Sequence, residues 1–361
     1  MNMALGAGTF TVPNKALPGA YMNFVSAARA DASLSERGVA ALALPLPGGP
    51  EGVIFSLTAE EFFRDAGKIF GCAAYAGELR PLREVFLHAR EALLYRVGAA
   101  GDPADAEYED FLQKLESHSF HTLGLPSGRE TVKKLFAGFT RRMRENAGVK
   151  IQCVLHRYTE ADYEGIISVD NRAAGGDGAS GAQDGDEAAL VCWVTGAQAG
   201  AAPGRSLMNT VYDGEIEVDC DYTAAELEAL LKEGAFVFHR VGRTVRVLED
   251  VNTLTTLSVD KGCDFQDNQT VRLIDRIATD VAALFNERYL GKTPNDASGR
   301  VSLWSDIVAH HRQLELLGAI ENFSPEDVTV EQGATKKAVT VRDRVTPTGA
   351  MAQLYMTVVI S

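Results

Sequence analysis

The strongest constraint on what this chain can fold into lies near its end. Leu354-Tyr-Met-Thr-Val-Val-Ile is a run of β-forming residues behind the flexible Thr346-Pro-Thr-Gly. The N–H and C=O groups of such a run must pair somewhere. Their partner is an earlier segment of the same chain or a neighbouring molecule. The N-terminal region has the same character. Leu17-Pro-Gly-Ala-Tyr-Met-Asn-Phe-Val-Ser is a short extended segment behind a Pro-Gly breaker, and AARADASLSERG after it is small and polar. Residues 1–36 and 346–361 therefore read as arms, with strands on Tyr21, Met22, Asn23, Phe24 and Val25 and on Leu354, Tyr355, Met356, Thr357, Val358, Val359 and Ile360. Either both strands pair at the edge of their own sheet, or they are donated to other subunits.

The stretch between the arms alternates strands and helices. VAALAL after Gly38 is a buried strand, and a second strand over 53–57 leads into a helix with the capping box Thr58/Glu61. Phe62, Phe63, Ala66 and Phe70 are its apolar face. A helix from Pro81 and a strand over 92–97 complete a β–α–α–β unit. GAAGDPAD links it to a second part, 105–205. There Ser127/Glu130 reads as the capping box of a long helix, with Val132, Leu135, Phe136, Phe139 and Met143 inward and Arg141, Arg142 and Arg144 outward. Strands are expected over 119–125, 149–156 and 165–169, a mobile Gly/Ala/Asp loop over 172–187, and a small-residue helix over 190–201 that allows close packing.

In the third part, 206–345, GEIEVDC reads as a strand and Thr223/Glu226 as a further capping box. A hairpin turns about residues 240–242. Asp264 or Asp267 opens a long helix with the stripe Leu273, Ile274, Ile277, Val281, Leu284 and Phe285. Another helix follows from Ser302, with Leu303, Ile307, Leu314 and Leu317 on one stripe, His310 on the same stripe, and Gly318 as its stop. VTV and AVTV then flank a polar loop as a hairpin. The sum is a mixed α/β (α+β) core, residues 37–104, 105–205 and 206–345, with extended N- and C-terminal β-strand arms.

With 49 acidic against 35 basic residues the net charge is −14. That argues against a general nucleic-acid binder and against attachment to an anionic membrane. The odd set Cys72, Cys153, Cys192, Cys220 and Cys263, with no CxxC, fits free thiols in a reducing cytoplasm. No signal peptide or membrane-spanning run is read, so the expected setting is the cytoplasm, left only by lysis or as part of a particle.

Catalytic motifs are missing: no GxGxxG after a strand, no GxxxxGK[ST], no HExxH and no GxSxG. Cys153 and His156 fall on opposite faces of a strand, which disfavours a Cys–His dyad. Asp177, Asp184 and Asp186 lack the spacing of a calcium loop. His311 and Glu315 have a metal-pair spacing, but an exposed i,i+4 pair explains them better. No catalytic residue, cofactor or metal is expected.

Several blocks together resemble the sheath protein of contractile phage tails, especially the Gram-positive myophage and tailocin type. They are LPGAYMNFVSAAR, GPEGVIFSLTAEEFFRDAGKIFG, RVLEDVNTLTTL, DFQDNQTVRLIDRIATDVAALFNERYLGKTPND, GRVSLWSDIVAHHRQLELLGAIENFSPEDVTVEQG and AMAQLYMTVVIS. They are collinear over residues 17–361. The β-rich insertion of larger family members is replaced by the short link at 98–105, which leans toward a simplified particle. The resemblance implies a structural subunit, not an enzyme, that polymerises helically around an inner tube protein. Arm strands would join the sheets of neighbouring copies, with Pro18, Gly19, Pro347 and Gly349 as hinges. A C-terminal helix would face the tube, making His310, His311, Arg312, Lys336 and Lys337 the candidate contacts. Baseplate and tail terminator proteins would be further partners, with neither nucleic acid nor membrane insertion by this chain. Two other readings stay open: a cytoplasmic α/β enzyme or ligand-binding protein with both strands paired in cis, and a non-contractile baseplate or tail component.

Overall fold

A computed structural model of the chain describes residues 37–98, 103–173 and 188–358. The expected N-terminal arm, including Pro18, Gly19 and Tyr21 to Val25, lies outside the described residues. So do Val359, Ile360 and nearly all of the loop expected at 172–187.

Six of the strands named so far in the sequence gather in one sheet with a short seventh. They are β1 (Val39–Leu44), β2 (Phe55–Thr58), β3 (Glu91–Arg96), β4 (Thr122–Leu125), β5 (Gln152–His156), β6 (Ile166–Val169) and β7 (Ala235–Phe236), in the order β2-β3-β1-β4-β5-β6-β7. Only β2 runs antiparallel to its neighbour. A parallel sheet covered on both faces needs strands that are apolar throughout. VAALAL is accordingly buried at every position. One face carries Ala41, Ala43, Leu93, Leu123 and Cys153 against α3 (Asp105–Leu115) and α4 (Glu130–Arg142). The other presents Ala40, Leu42, Leu94, Val154 and Ile167 to α1 (Ala59–Ile69), α2 (Arg80–Phe86) and α5 (Leu190–Gly200). On α5, a side chain at Gly196 or Gly200 would collide with the backbone carbonyls of Val85 and His88. Those two glycines set how closely α5 lies against α2. The sheet takes strands from both sides of residue 104, so the first two expected parts share one core.

The remaining elements form a second region. They include α6 (Ala224–Lys232), the hairpin β8 (Phe238–Val241) and β9 (Thr244–Val247), α7 (Asn268–Leu284) and α8 (Ala297–Leu316). Then come β10 (Ile320–Glu321), the hairpin β11 (Val328–Gln332) and β12 (Val339–Asp343), and β13 (Thr346–Pro347).

The capping boxes at Thr58/Glu61 and Thr223/Glu226 form. The one expected at Ser127/Glu130 does not, because α4 starts two residues later than that box requires, with Arg129 as its N-cap. Ser127 Oγ instead accepts from the Arg129 N–H. GEIEVDC is not a strand beyond one bridge between Val218 and Ala173. Two of its backbone donors are taken by side chains: Glu215 N–H by Glu84 at 2.6 Å and Ile216 N–H by the Tyr212 hydroxyl at 3.1 Å. The helix expected from Ser302 begins at Ala297, capped by Asp296.

Candidate functional site

The second region is organised by α7. Its apolar stripe behaves as expected, with Leu273, Ile277 and Leu284 buried. Its charged stripe is buried as well. Arg272, Asp275, Arg276 and Asp280 are all at most 5% exposed. Arg272, Asp275 and Asp280 each reach a different part of the molecule, and Arg276 pairs with Asp280 within the helix.

Arg272 donates to Asp250 Oδ2 at 2.8 Å, to the Arg205 carbonyl at 2.6 Å and to Gln198 Oε1. Asp250 also accepts from Gln198 Nε2, Asn268 Nδ2 and the Leu207 N–H. Burial works against the charge of Asp250, but Arg272 and these donors outweigh it and hold its pKa below the usual carboxylate value. Asp275 takes a two-pronged bond from Arg144, at 2.5 and 2.9 Å. Arg144 therefore points inward, contrary to the expectation that it faces away. Its segment, Met143–Ala147, is a π-turn, and the wider turn changes the phase of the helix. Burial opposes the Arg144 charge, and Asp275, Tyr163 and Glu164 together raise its pKa all the same.

Asp280 receives Arg276 Nε at 2.7 Å and lies 3.2 Å from His310 Nε2. His310 Nδ1 is 3.1 Å from His311 Nδ1, and His311 Nε2 is 3.1 Å from Asp343 Oδ2 on β12. The histidines are 2% and 0% exposed. This corrects their assignment as tube-facing groups: in this conformation neither reaches a surface. A His-His-Arg run reads as polar from sequence because its two carboxylate partners lie on α7 and β12, about 30 residues away in either direction. His311 and Glu315 do not form the exposed pair expected of them, because His311 is buried. Glu315 instead accepts from the Phe323 N–H. Arg312, Lys336 and Lys337 are exposed.

Both arm roots reach this region. The C-terminal root is fixed by β13 on β10, with Ile320 opposite Pro347, and by Thr348 N–H to the Ala319 carbonyl. Gln269 Nε2 on α7 donates to the Thr348 carbonyl at 2.6 Å and to that of Gly204 at 2.7 Å. Pro347 is thus held within a strand pair, and the free tail leaves from Gly349. Beyond it, residues 351–358 have no regular secondary structure. Leu354 is 85% and Tyr355 87% exposed, with Met351, Met356 and Val358 similarly bare. The strand expected there is unpaired among the described residues. At the other end, Arg37 Nη2 donates to the Gln198 carbonyl, and the Val39 N–H donates to His121 Nδ1.

Beside the C-terminal root, β11 and β12 pair over five positions as a two-stranded sheet. It rests on α8 through Val328, Leu303 and Ile307, with Trp304 Nε1 donating to the Val328 carbonyl. A cleft of about 160 Å³ between Ile320, Asp327, Arg344 and Thr346 is small and polar. That is below the ~300–1,000 Å³ usual for small-molecule sites. Among the described residues, no three His, Cys, Asp or Glu side chains are arranged to hold a metal, and no helix is long and apolar enough to cross a membrane.

The sequence could have hinted at the buried stripe only through the spacing Arg272, Asp275, Arg276 and Asp280. Alternating charges at helical spacing normally mark a solvated face.

Comparison with known proteins gives a consistent result. Residues 101–253 match the phage tail sheath protein central domain, and residues 260–361 the phage tail sheath C-terminal domain. The chain is 30% identical over 285 residues to the phage-like element PBSX protein XkdK of Bacillus subtilis (strain 168), covering 76% of this chain. It spans about 60% of the length of the curated relatives it matches first. The sheath tail protein of Desulfitobacterium hafniense superposes with a TM-score of 0.80 at 26% identity, over 92% of this chain and 97% of that one. The helical sheath of the anti-feeding prophage in its contracted state gives a TM-score of 0.68 at 16% identity, over 98% and 100%, a likeness of fold alone.

Proposed function

Because the chain belongs to the phage tail sheath family, we propose that it is the structural subunit of a contractile tail sheath. It polymerises helically around an inner tube and contracts to drive that tube through a target cell envelope. One observation carries the reading: a strongly β-forming segment, bare and unpaired, on a tail whose root is tightly bonded. A segment with these properties gains its hydrogen bonds by adding to the sheet edge of another molecule. The hairpin β11/β12 is the acceptor we assign. It has five paired positions and no further strand on either side among the described residues.

Contacts of this kind run head to tail and propagate as a filament. Subunits turn as rigid bodies about the free links, with Gly349 as the C-terminal hinge and Pro18-Gly19 as the N-terminal one. The contracted state is favoured by new contacts between cores, so no nucleotide and no catalytic group take part. A few kcal/mol per subunit, summed over the lattice, makes firing irreversible. Arg312, Lys336 and Lys337 are the tube-facing groups in this scheme, supported by their exposure in an acidic chain. Baseplate and terminator proteins bound the filament, which assembles in the host cytoplasm and leaves in the particle.

The test compares the full chain with one ending at Gly349, by negative-stain electron microscopy over a salt series and by binding of a labelled 350–361 peptide. The full chain is expected to form long hollow tubes, and the shortened chain to stay monomeric and bind the peptide saturably. Tubes from the shortened chain would overturn the strand-donation scheme. A discrete particle from the full chain at every salt concentration, with no peptide binding by the shortened one, would overturn the sheath assignment.

A further inference from the structure

The two arm roots lie at opposite ends of the sequence, yet a short series of bonds connects them. The Thr348 carbonyl accepts from Gln269, whose same amide also holds the Gly204 carbonyl. The next carbonyl along, that of Arg205, accepts from Arg272, one turn further on α7. Arg272 also grips Gln198 through its side-chain oxygen, and the backbone carbonyl of Gln198 receives Arg37. Arg37 is the residue at which the N-terminal arm enters the described fold.

We propose that Gln269 and Arg272 are positioning residues that join the roots of the two arms, so that the order of one root depends on the order of the other. The proposal takes its meaning for assembly from the sheath reading, but the bonds belong to a single subunit.

The junction is built to be tipped. The Nε atoms of Arg37 and Arg272 are both buried without a hydrogen-bond partner. Burial and the neighbouring Arg272 push the Arg37 pKa down to about 9. A network with unmet donors and two adjacent cations gives up a bond more readily than a fully satisfied one. Release of Thr348 frees the Gln269 amide, which loosens the 204–205 segment, which in turn unseats Arg272 from Gln198. In a lattice, pulling on the tail of a subunit would then loosen the base of its other arm.

The experiment is done on the dilute full-length monomer, so tube formation plays no part in it. Trypsin cutting after Arg37 reports the N-terminal root, and hydrogen exchange of the Thr348 amide reports the C-terminal root. Gln269→Met keeps the side-chain length and removes the donor. It is expected to raise cutting after Arg37 about fivefold, within the usual range for coupled sites. Arg37→Met is expected to speed Thr348 exchange. Coupling must be reciprocal: the factor by which tail release promotes Arg37 exposure equals the factor by which loss of Arg37 promotes tail release. General destabilisation would instead also raise exchange across β5, which is expected to stay unchanged.

Deletion of 346–361 is the second variant. It leaves Gln269 in place on the Gly204 carbonyl, removes its Thr348 partner together with β13 and the tail, and should reproduce the fivefold change. If Thr348 is released and cutting after Arg37 does not change in either variant, the inference is overturned. Tubes failing to form while the reciprocal factors agree would sink the sheath reading and leave the coupling standing.

Discussion

The sheet region and the α7 region of this molecule solve the same problem by different physics. Around the sheet, both faces are packed with apolar side chains, and burial of area does the work without much directionality. Around α7 the apolar clusters are small, five buried residues in each of two groups. Much of the remaining interior is polar and ionisable side chains paired with one another: Arg272 with Asp250, Arg144 with Asp275, Arg276 and His310 with Asp280, and His311 with Asp343. Such pairs contribute less net stability than apolar packing of equal volume, but they allow one register and penalise all others. The C-terminal root is held in the region specified in this way, and the N-terminal root meets the same network through Gln198.

The sharpest way to break this contrast is to remove one partner of a buried pair. Asp275→Ala takes from buried Arg144 its two-pronged partner, leaving Glu164 at 3.9 Å, and should cost about 3–5 kcal/mol in urea unfolding. Replacing both, Arg144→Met with Asp275→Leu, should recover most of that loss. If the double variant is no better than the single one, the pair contributes more than specificity. On the sheet side, Leu42→Ala removes a fully buried side chain and should cost about 3 kcal/mol, with no comparable rescue by a second substitution.

A smaller effect comes from pH. Burial, and then Arg37, lower the His121 pKa to about 3, against ~6.5 in an unfolded chain. Between those values the unfolded chain binds the extra proton. This contribution is therefore complete above pH ~6.5 and is lost as pH falls, by up to ~1.4 kcal/mol per unit and about 2 kcal/mol by pH 5. His156, lowered to about 4, adds a slope of the same sign. His121→Gln should flatten the stability–pH curve by about one proton, measured by denaturant midpoints from pH 7 to 5. An unaltered slope would mean that His121 does not stay neutral at the base of the N-terminal arm. The least effect on stability, under about 0.5 kcal/mol, belongs to Arg312→Glu. If Arg312 faces the tube, that variant loses tube co-assembly while sheath–sheath contact persists, and unchanged co-assembly would rule the position out.

The same contrast decides what could be read in advance. VAALAL, the Thr58 and Thr223 capping boxes and the stripe of α7 were legible because apolar periodicity and caps are local signals. The β11/β12 hairpin was legible for the same reason. The pairing of His310 and His311 was not, because what makes their burial tolerable is supplied by Asp280 and Asp343 from other elements. Arg144 was misread for a similar reason, since a π-turn shifts the phase that a regular helix would keep. In GEIEVDC the alternation that suggested a strand is real, with Ile216 and Val218 buried. Glu84 and Tyr212 capture the backbone donors that a ladder would have needed.

The bare tail has a consequence for the two ends of any polymer it builds. A subunit that gives away one strand and accepts another is balanced only while it has neighbours on both sides. Wherever a row of such subunits stops, one extremity offers unclaimed tails and the other offers unclaimed edges. A filament linked in that way is polar, its two tips are chemically unlike, and finishing them calls for two different molecules.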